Sequence, residues 1–157
     1  MISELEVESV QGSWGKGVVK IGTLKGDQEQ CEIFAKEFAN KHYDFNSKKV
    51  LFKPTKAAVR QFRPTNEGAL SYFIGGNSEY SEDGGFALQP WTNVRFENNN
   101  IILEENRAIA MGNYFFTDLN GDETKVEYTF GYIKDEEGNL KIDVHHSSLP
   151  YNPQPNA

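Results

Sequence analysis

Hydrophobic residues recur at helical spacing over the first third of the chain and at alternate positions over most of the remainder. Val7, Val10, Trp14, Val18 and Ile21 fall at steps of three and four, which lines them along one side of a helix, and Ser3 stands where its cap belongs. Gly12, Gly15 and Gly17 weaken this helix. Their run, Gly12-Ser13-Trp14-Gly15-Lys16-Gly17, follows no strand and lacks the Gly-Lys-Ser/Thr ending of a phosphate loop, so it is read as helix. Asp27 opens a second helix in which Cys31, Phe34, Ala35, Phe38 and Phe45 form an apolar stripe, the mark of core rather than of a cofactor contact.

From Lys49 the period becomes two. Residues 50–57 read as a strand at a sheet edge or broken by Pro54. Thr65, Glu67 and the pair Gly75-Gly76 bracket one or two helical turns. After Asp83-Gly84-Gly85 the pattern predicts strands over 92–96, 100–104, 107–117, 124–134 and 140–148. Hairpin turns are expected at Asn98-Asn99-Asn100, at Asn120-Gly121-Asp122 and between Asp135 and Asn139. Helices followed by hairpins predict an α+β fold, N-terminal helices packed on one face of a curved antiparallel sheet, as a cone with a pocket between its layers. The Pro-rich end, Leu149 to Pro155, is expected to be extended.

Composition narrows the picture further. A length of 157 residues predicts a single domain over 1–157. With 16 Lys and Arg against 23 Asp and Glu, and no basic run longer than two, neither nucleic acid nor an anionic membrane is expected as a partner. No stretch approaches the roughly 20 apolar residues of a membrane span. The expected location is cytoplasmic as the chain stands, or periplasmic or organellar if a leader is removed. Three His and one Cys are too few and too scattered for a closed zinc site, and Cys31 belongs to the core stripe.

Asp118 to Glu123 has the look of a calcium loop but not its spacing, and reads as a type I′ hairpin turn. The segment Val144-His145-His146-Ser147-Ser148 is different, because four polar residues end a strand whose propensity does not call for them. Simple alternation puts His145 and Ser147 on one face, and His146 and Ser148 on the other with Ile142 and Val144. An oligomer contact or a capped strand end would also account for them. Thr55, Thr65, Ser71 and Tyr72 add hydroxyls in otherwise apolar stretches, which together describe a pocket of neutral hydrogen-bond donors.

Several longer motifs carry a resemblance: Phe62-Arg63-Pro64-Thr65, residues 68–76, residues 90–96, Met111-Gly112-Asn113-Tyr114-Phe115-Phe116, and His145-His146-Ser147-Ser148-Leu149-Pro150. They resemble the iota class of carbonic anhydrases from about Gln30 to Tyr151. That class is built on the association (hub) domain of calcium/calmodulin-dependent protein kinase II, a cone of the nuclear-transport-factor-two type. The resemblance implies reversible hydration of carbon dioxide to bicarbonate, with Thr55, Tyr72 and Ser147 carried over by position to hold bicarbonate or orient water. It implies either no metal or manganese, and the shortage of ligands favours none.

Phe52, Phe73, Tyr114 and Phe115 are expected to line an apolar pocket for carbon dioxide. Hydroxyl donors there would stabilise the charge that develops on oxygen as water attacks. Tyr72, if its pKa is lowered, and His145 are the candidate proton acceptors; His145 shares a face with Ser147 and is preferred as the relay. The pairing of Ile142 and Val144 with the other face leaves open an exchange of the two His-Ser pairs, as would a bulge. The alternative reading is a non-catalytic hub-like assembly or small-carboxylate-binding module. Capture of an anion normally uses Arg clusters, and the hub family has Arg where this chain has Ser147. A cone-fold isomerase or cyclase would need an Asp or Glu base in the pocket, and the sequence offers none. A homodimer is expected, since sheets of this fold usually pair through their outer faces; the sequence leaves the pairing face open.

Overall fold

The computed structural model describes residues 1–153, so Gln154 and Pro155 of the expected extended tail lie outside the described residues. Helix α1 spans Glu4–Thr23. Ser3 Oγ accepts from the Glu6 N–H at 3.1 Å, while the Glu6 carboxylate accepts from the Ser3 N–H at 2.7 Å, a reciprocal cap. Its glycines have a packing use as well as a cost. A Cβ at Gly17 would run into the ring of Phe38 on α2, Gln28–His42, so the bare backbone lets the two helices approach. Phe45 falls beyond the end of α2 but still packs against the core.

The predicted first strand shrinks to β1, Leu51–Lys53, because Pro54 cannot continue the ladder. Helix α3, Asn66–Ile74, is capped by Thr65 and stopped by Gly75 at φ 69°. Short 3-10 turns at Ser78–Tyr80 and Phe86–Leu88 lead to β2 (Trp91–Leu103), β3 (Arg107–Asp118), β4 (Glu123–Lys134) and β5 (Leu140–Ser148). The sheet order is β1-β5-β4-β3-β2. Strands β2 to β5 form an antiparallel meander, but β1 runs parallel to β5, so the sheet is mixed rather than antiparallel throughout.

Two expected turns differ. Asn98-Asn99-Asn100 is no hairpin: the chain runs through it as a bulge inside β2, and the reversal comes at Glu104 to Asn106, where the Glu104 N–H donates to the Arg107 carbonyl at 2.8 Å. The β3–β4 turn is not type I′, which needs two left-handed residues. Only Gly121 is left-handed, at φ 85°, and the Asp118 carboxylate accepts from the N–H groups of Asn120 and Asp122 instead.

A second bulge, in β5, matters for function. Tyr132 pairs with Ile142 and Gly131 with Val144, which leaves Asp143 without a partner residue in the ladder. Arg107 holds the Asp143 carboxylate through two bonds, at 3.0 and 2.6 Å. The extra residue resets the alternation, so Ile142, His145 and Ser147 are all buried on the inner face, while His146 is exposed. The core sits between this face and the helices, centred on Trp14, whose ring meets Tyr114 at 5.6 Å, His145 at 5.8 Å and Phe130 at 5.9 Å.

The β2 bulge should depend on the glycine opposite it. A Cβ at Gly112 would strike the carbonyl oxygen of Glu97, which is backbone and cannot swing away. Gly112→Ala should therefore lower the free energy of unfolding by about 1–3 kcal/mol, measured by urea denaturation.

Candidate active site

The inner face of β5 is flanked on both sides. His145 lies in register with Phe130 on β4 and Phe52 on β1. Those neighbours clamp its ring, Phe130 at 4.0 Å between centroids and Phe52 at 4.8 Å, both nearly parallel to it. Its Nδ1 lies 2.8 Å from the hydroxyl of Tyr43, which follows α2, and its Nε2 lies 3.1 Å from the hydroxyl of Tyr114 on β3. Both nitrogens are engaged and the residue is only 2% exposed.

The hydrogen bonds continue in both directions. Trp14 Nε1 donates to the Tyr43 hydroxyl at 3.1 Å. On the other side, Tyr114 meets Ser147 Oγ at 2.5 Å, and Ser147 Oγ meets Thr55 Oγ1 at 2.5 Å. Thr55 is half-buried and forms the outer end of the series. Next to it, the Lys56 N–H donates to the Tyr72 hydroxyl at 3.2 Å. Lys56 and Tyr72 in turn line a cavity of about 220 Å³, closed by Phe86, Gln89 and the loop from Glu82 to Gly85. Four predicted residues, Thr55, Tyr72, His145 and Ser147, thus lie in one connected region.

The remaining candidates lie elsewhere. Thr65 is spent on capping α3, and Ser71 donates to Asp83 at 2.6 Å. Ser148 points outward toward Glu127. Phe115, expected to line the pocket, lies on the outer face, where Arg95 covers its ring at 3.9 Å. Conversely, sequence reasoning missed Tyr43 and the indole N–H of Trp14, and took Tyr114 only for its ring. The available signal was a phenol where phenylalanine would fill a core position, because a buried hydroxyl needs a partner.

Electrostatics corrects two further expectations. Burial pushes the Tyr72 phenol up, and the opposing Lys56 N–H and Thr55 hydroxyl are too weak to reverse it, so Tyr72 remains protonated and offers a donor rather than a phenolate. Burial, with a smaller contribution from His146, holds His145 well below the ordinary imidazole range. A titrating role for His145 does not fit that environment. Burial likewise pushes Tyr114 up. Lys53, lowered by burial, donates to the Ser147 carbonyl at 2.9 Å.

The mouth is electrically balanced. Arg63, fully buried, grips Asp83 through two bonds of 2.8 Å, and the Glu82 carboxylate accepts from the backbone N–H groups of Ala58, Val59 and Arg60. Neither carboxylate is available as a strong base. Among the described residues, no group of three His, Cys, Asp or Glu side chains converges as a metal site.

Comparison with known proteins shows what the whole chain is similar to. The sequence profile described as metal-independent carbonic anhydrase matches residues 5–149. A metal-independent carbonic anhydrase from Nostoc sp. is 42% identical over 154 residues, 96% of this chain and 75% of that protein. Among solved structures, the iota-carbonic anhydrase from a cyanobacterium, complexed with bicarbonate, superposes with a TM-score of 0.94 at 40% identity, covering 97% of this chain and 94% of that one. A calcium/calmodulin-dependent protein kinase II association domain from Xanthomonas campestris shares the fold, with a TM-score of 0.63 at 19% identity over 98% of this chain and 91% of that one.

Two buried histidines set a pH dependence for folding. Besides His145, His42 is pushed down to about 4 by burial, despite its bond to the Phe38 carbonyl. Both are uncharged when folded and take up protons once unfolded below about pH 6.5. Stability is therefore complete above that pH and falls as pH drops toward the folded values. Between pH 6.5 and 5 the loss should approach about 1.4 kcal/mol per pH unit for each histidine, read from urea midpoints, and His42→Gln should flatten the slope by about half.

Proposed function

The chain belongs to the metal-independent carbonic anhydrases, and we propose that its Thr55–Ser147–Tyr114 hydroxyl cluster, with Tyr72, is where it performs their reaction. That reaction is the reversible hydration of carbon dioxide to bicarbonate, a lyase step that here needs no metal. The observation that carries the site assignment is the direct bonding of Thr55 to Ser147 and of Ser147 to Tyr114 beside the cavity walled by Tyr72.

Carbon dioxide is apolar and enters against the rings of Tyr72 and Phe86. Water attacks its carbon, a C–O bond forms, and one C=O electron pair moves onto oxygen. Thr55 and Tyr72 donate to that oxygen as its charge grows, and Ser147 holds Thr55 in place. Each such donor contributes a few kcal/mol to lowering the barrier. The attacking water must also lose a proton. Tyr72 is held as a phenol and His145 as a neutral imidazole, while Glu82 and Asp83 are committed to other partners. The acceptor is accordingly a solvent or buffer base at the mouth.

Product release supports turnover over tight capture. Arg63, buried behind the cavity, is consumed by Asp83, and among the described residues the one cation lining the cavity is the exposed Lys56, so bicarbonate meets neutral donors and a single Lys rather than an Arg cluster.

We also infer a homodimer through the outer sheet face. Leu51, Val144, Gly131, Ile109 and Ile102 stand in register across all five strands and make an apolar row. Leu51 is 67% and Ile102 59% exposed, with Met111 beside the row at 58%.

In stopped-flow hydration assays, Thr55→Val, Tyr72→Phe and Ser147→Ala should each lower kcat by about 10²-fold. Ser148→Ala and added chelator should leave it unchanged, and kcat should rise with buffer concentration. Activity lost in Ser148→Ala and retained in Ser147→Ala would sink the assignment. In sedimentation, Ile102→Glu with Met111→Glu should shift the protein from dimer to monomer; an unchanged mass would overturn the proposed interface.

A further inference from the structure

The bonds from Trp14 to Thr55 form a series with a direction that its buried end dictates. An indole N–H can only donate, so the Tyr43 oxygen accepts from Trp14. The Tyr43 proton then has one other partner among the described residues, His145 Nδ1. Nδ1 is thereby an acceptor, and a neutral imidazole with an accepting Nδ1 carries its proton on Nε2. Nε2–H donates to the Tyr114 oxygen, Tyr114 donates to Ser147, and Ser147 donates to Thr55. One proton remains without an acceptor among the members of the series: that of Thr55, at the half-buried outer end, where the Tyr72 hydroxyl adjoins it.

The opposite direction fails at Tyr43. Its oxygen would receive two donors, from Trp14 and from His145 Nδ1, and its own buried O–H would lose its acceptor. His145 cannot escape the choice by turning, because Phe130 and Phe52 hold its ring on both faces.

We propose that Tyr43 is a positioning residue for the hydration reaction: backed by Trp14, it fixes the direction of the series, so that Thr55 is presented to the pocket as a donor. Resting on the assignment of Thr55 to the reacting oxygen, this adds two residues remote from the cavity to the catalytic arrangement. It also gives His145 a role without titration. The imidazole passes on polarisation, each donor strengthening the next, and in this direction the series cannot carry the water proton inward.

Nitrogen-15 NMR of the labelled protein at pH 8 reads the direction without reference to activity. His145 should be the Nε2–H tautomer; an Nδ1–H tautomer would overturn the proposal. Tyr43→Phe keeps the ring and removes the hydroxyl. It should lower kcat about tenfold with KM within twofold, in a protein whose circular dichroism is unchanged. An unaltered kcat would also overturn the proposal. If the Phe variant does not fold, the tautomer in the unmodified protein still decides. Thr55→Val separates the two levels: full activity in that variant with His145 still Nε2–H would reject Thr55 as the reacting donor while leaving the direction of the series standing.

Discussion

One unpaired residue in a strand decides what the pocket contains. Without the bulge at Asp143, a strand with Ile142 facing inward would also direct Val144, His146 and Ser148 there. His145 and Ser147 would then face outward. The bulge retains Ile142 in the core and brings His145 and Ser147 to the same face. The Arg107–Asp143 pair holds the extra residue in place from the neighbouring part of the sheet. Everything further in follows: Phe52 and Phe130 become neighbours of His145, and Tyr128 of Ser147, through ladder register alone.

An aromatic core is a poor place for charge, and the series of polar groups respects that. Between Trp14 and Thr55 each member is neutral, each is bonded on both sides, and burial raises the phenols and lowers the imidazole, so none ionises near neutrality. Such a series costs little to bury because its polar atoms satisfy one another. The same property removes it as a proton store, so the mouth, not the core, is where charge enters and leaves.

Much of the fold was legible in the sequence because its signals are local. Ser3, Asp27 and Thr65 cap the helices that their positions indicate, and the meander strands lie where alternation placed them. Thr55, Tyr72, His145 and Ser147 were singled out by chemistry and by resemblance, and the fold brings them into one connected region. What the sequence hid is relational. Three consecutive asparagines, Asn98 to Asn100, read equally well as a turn or a bulge, and only the ladder with β3 and the backbone contact at Gly112 distinguishes them. Asp143 is one more polar residue until its strand partners are known. Tyr43 and Tyr114 look like core aromatics until their hydroxyls are seen to meet His145 from two different elements.

The same fold serves a kinase association domain, so the scaffold by itself does not determine chemistry. The difference lies in how the pocket treats negative charge. A fixed cation would bind bicarbonate and the transition state alike, which tightens binding without accelerating the step. Neutral donors aimed at one oxygen act mainly as charge appears on it. Here the buried guanidinium of Arg63 is turned onto Asp83, and Ser147 is tied to hydroxyls on both sides. On the proposed assignment the pocket is preorganised for an oxygen that gains charge during the reaction, and its buried guanidinium is not free to keep the product afterwards.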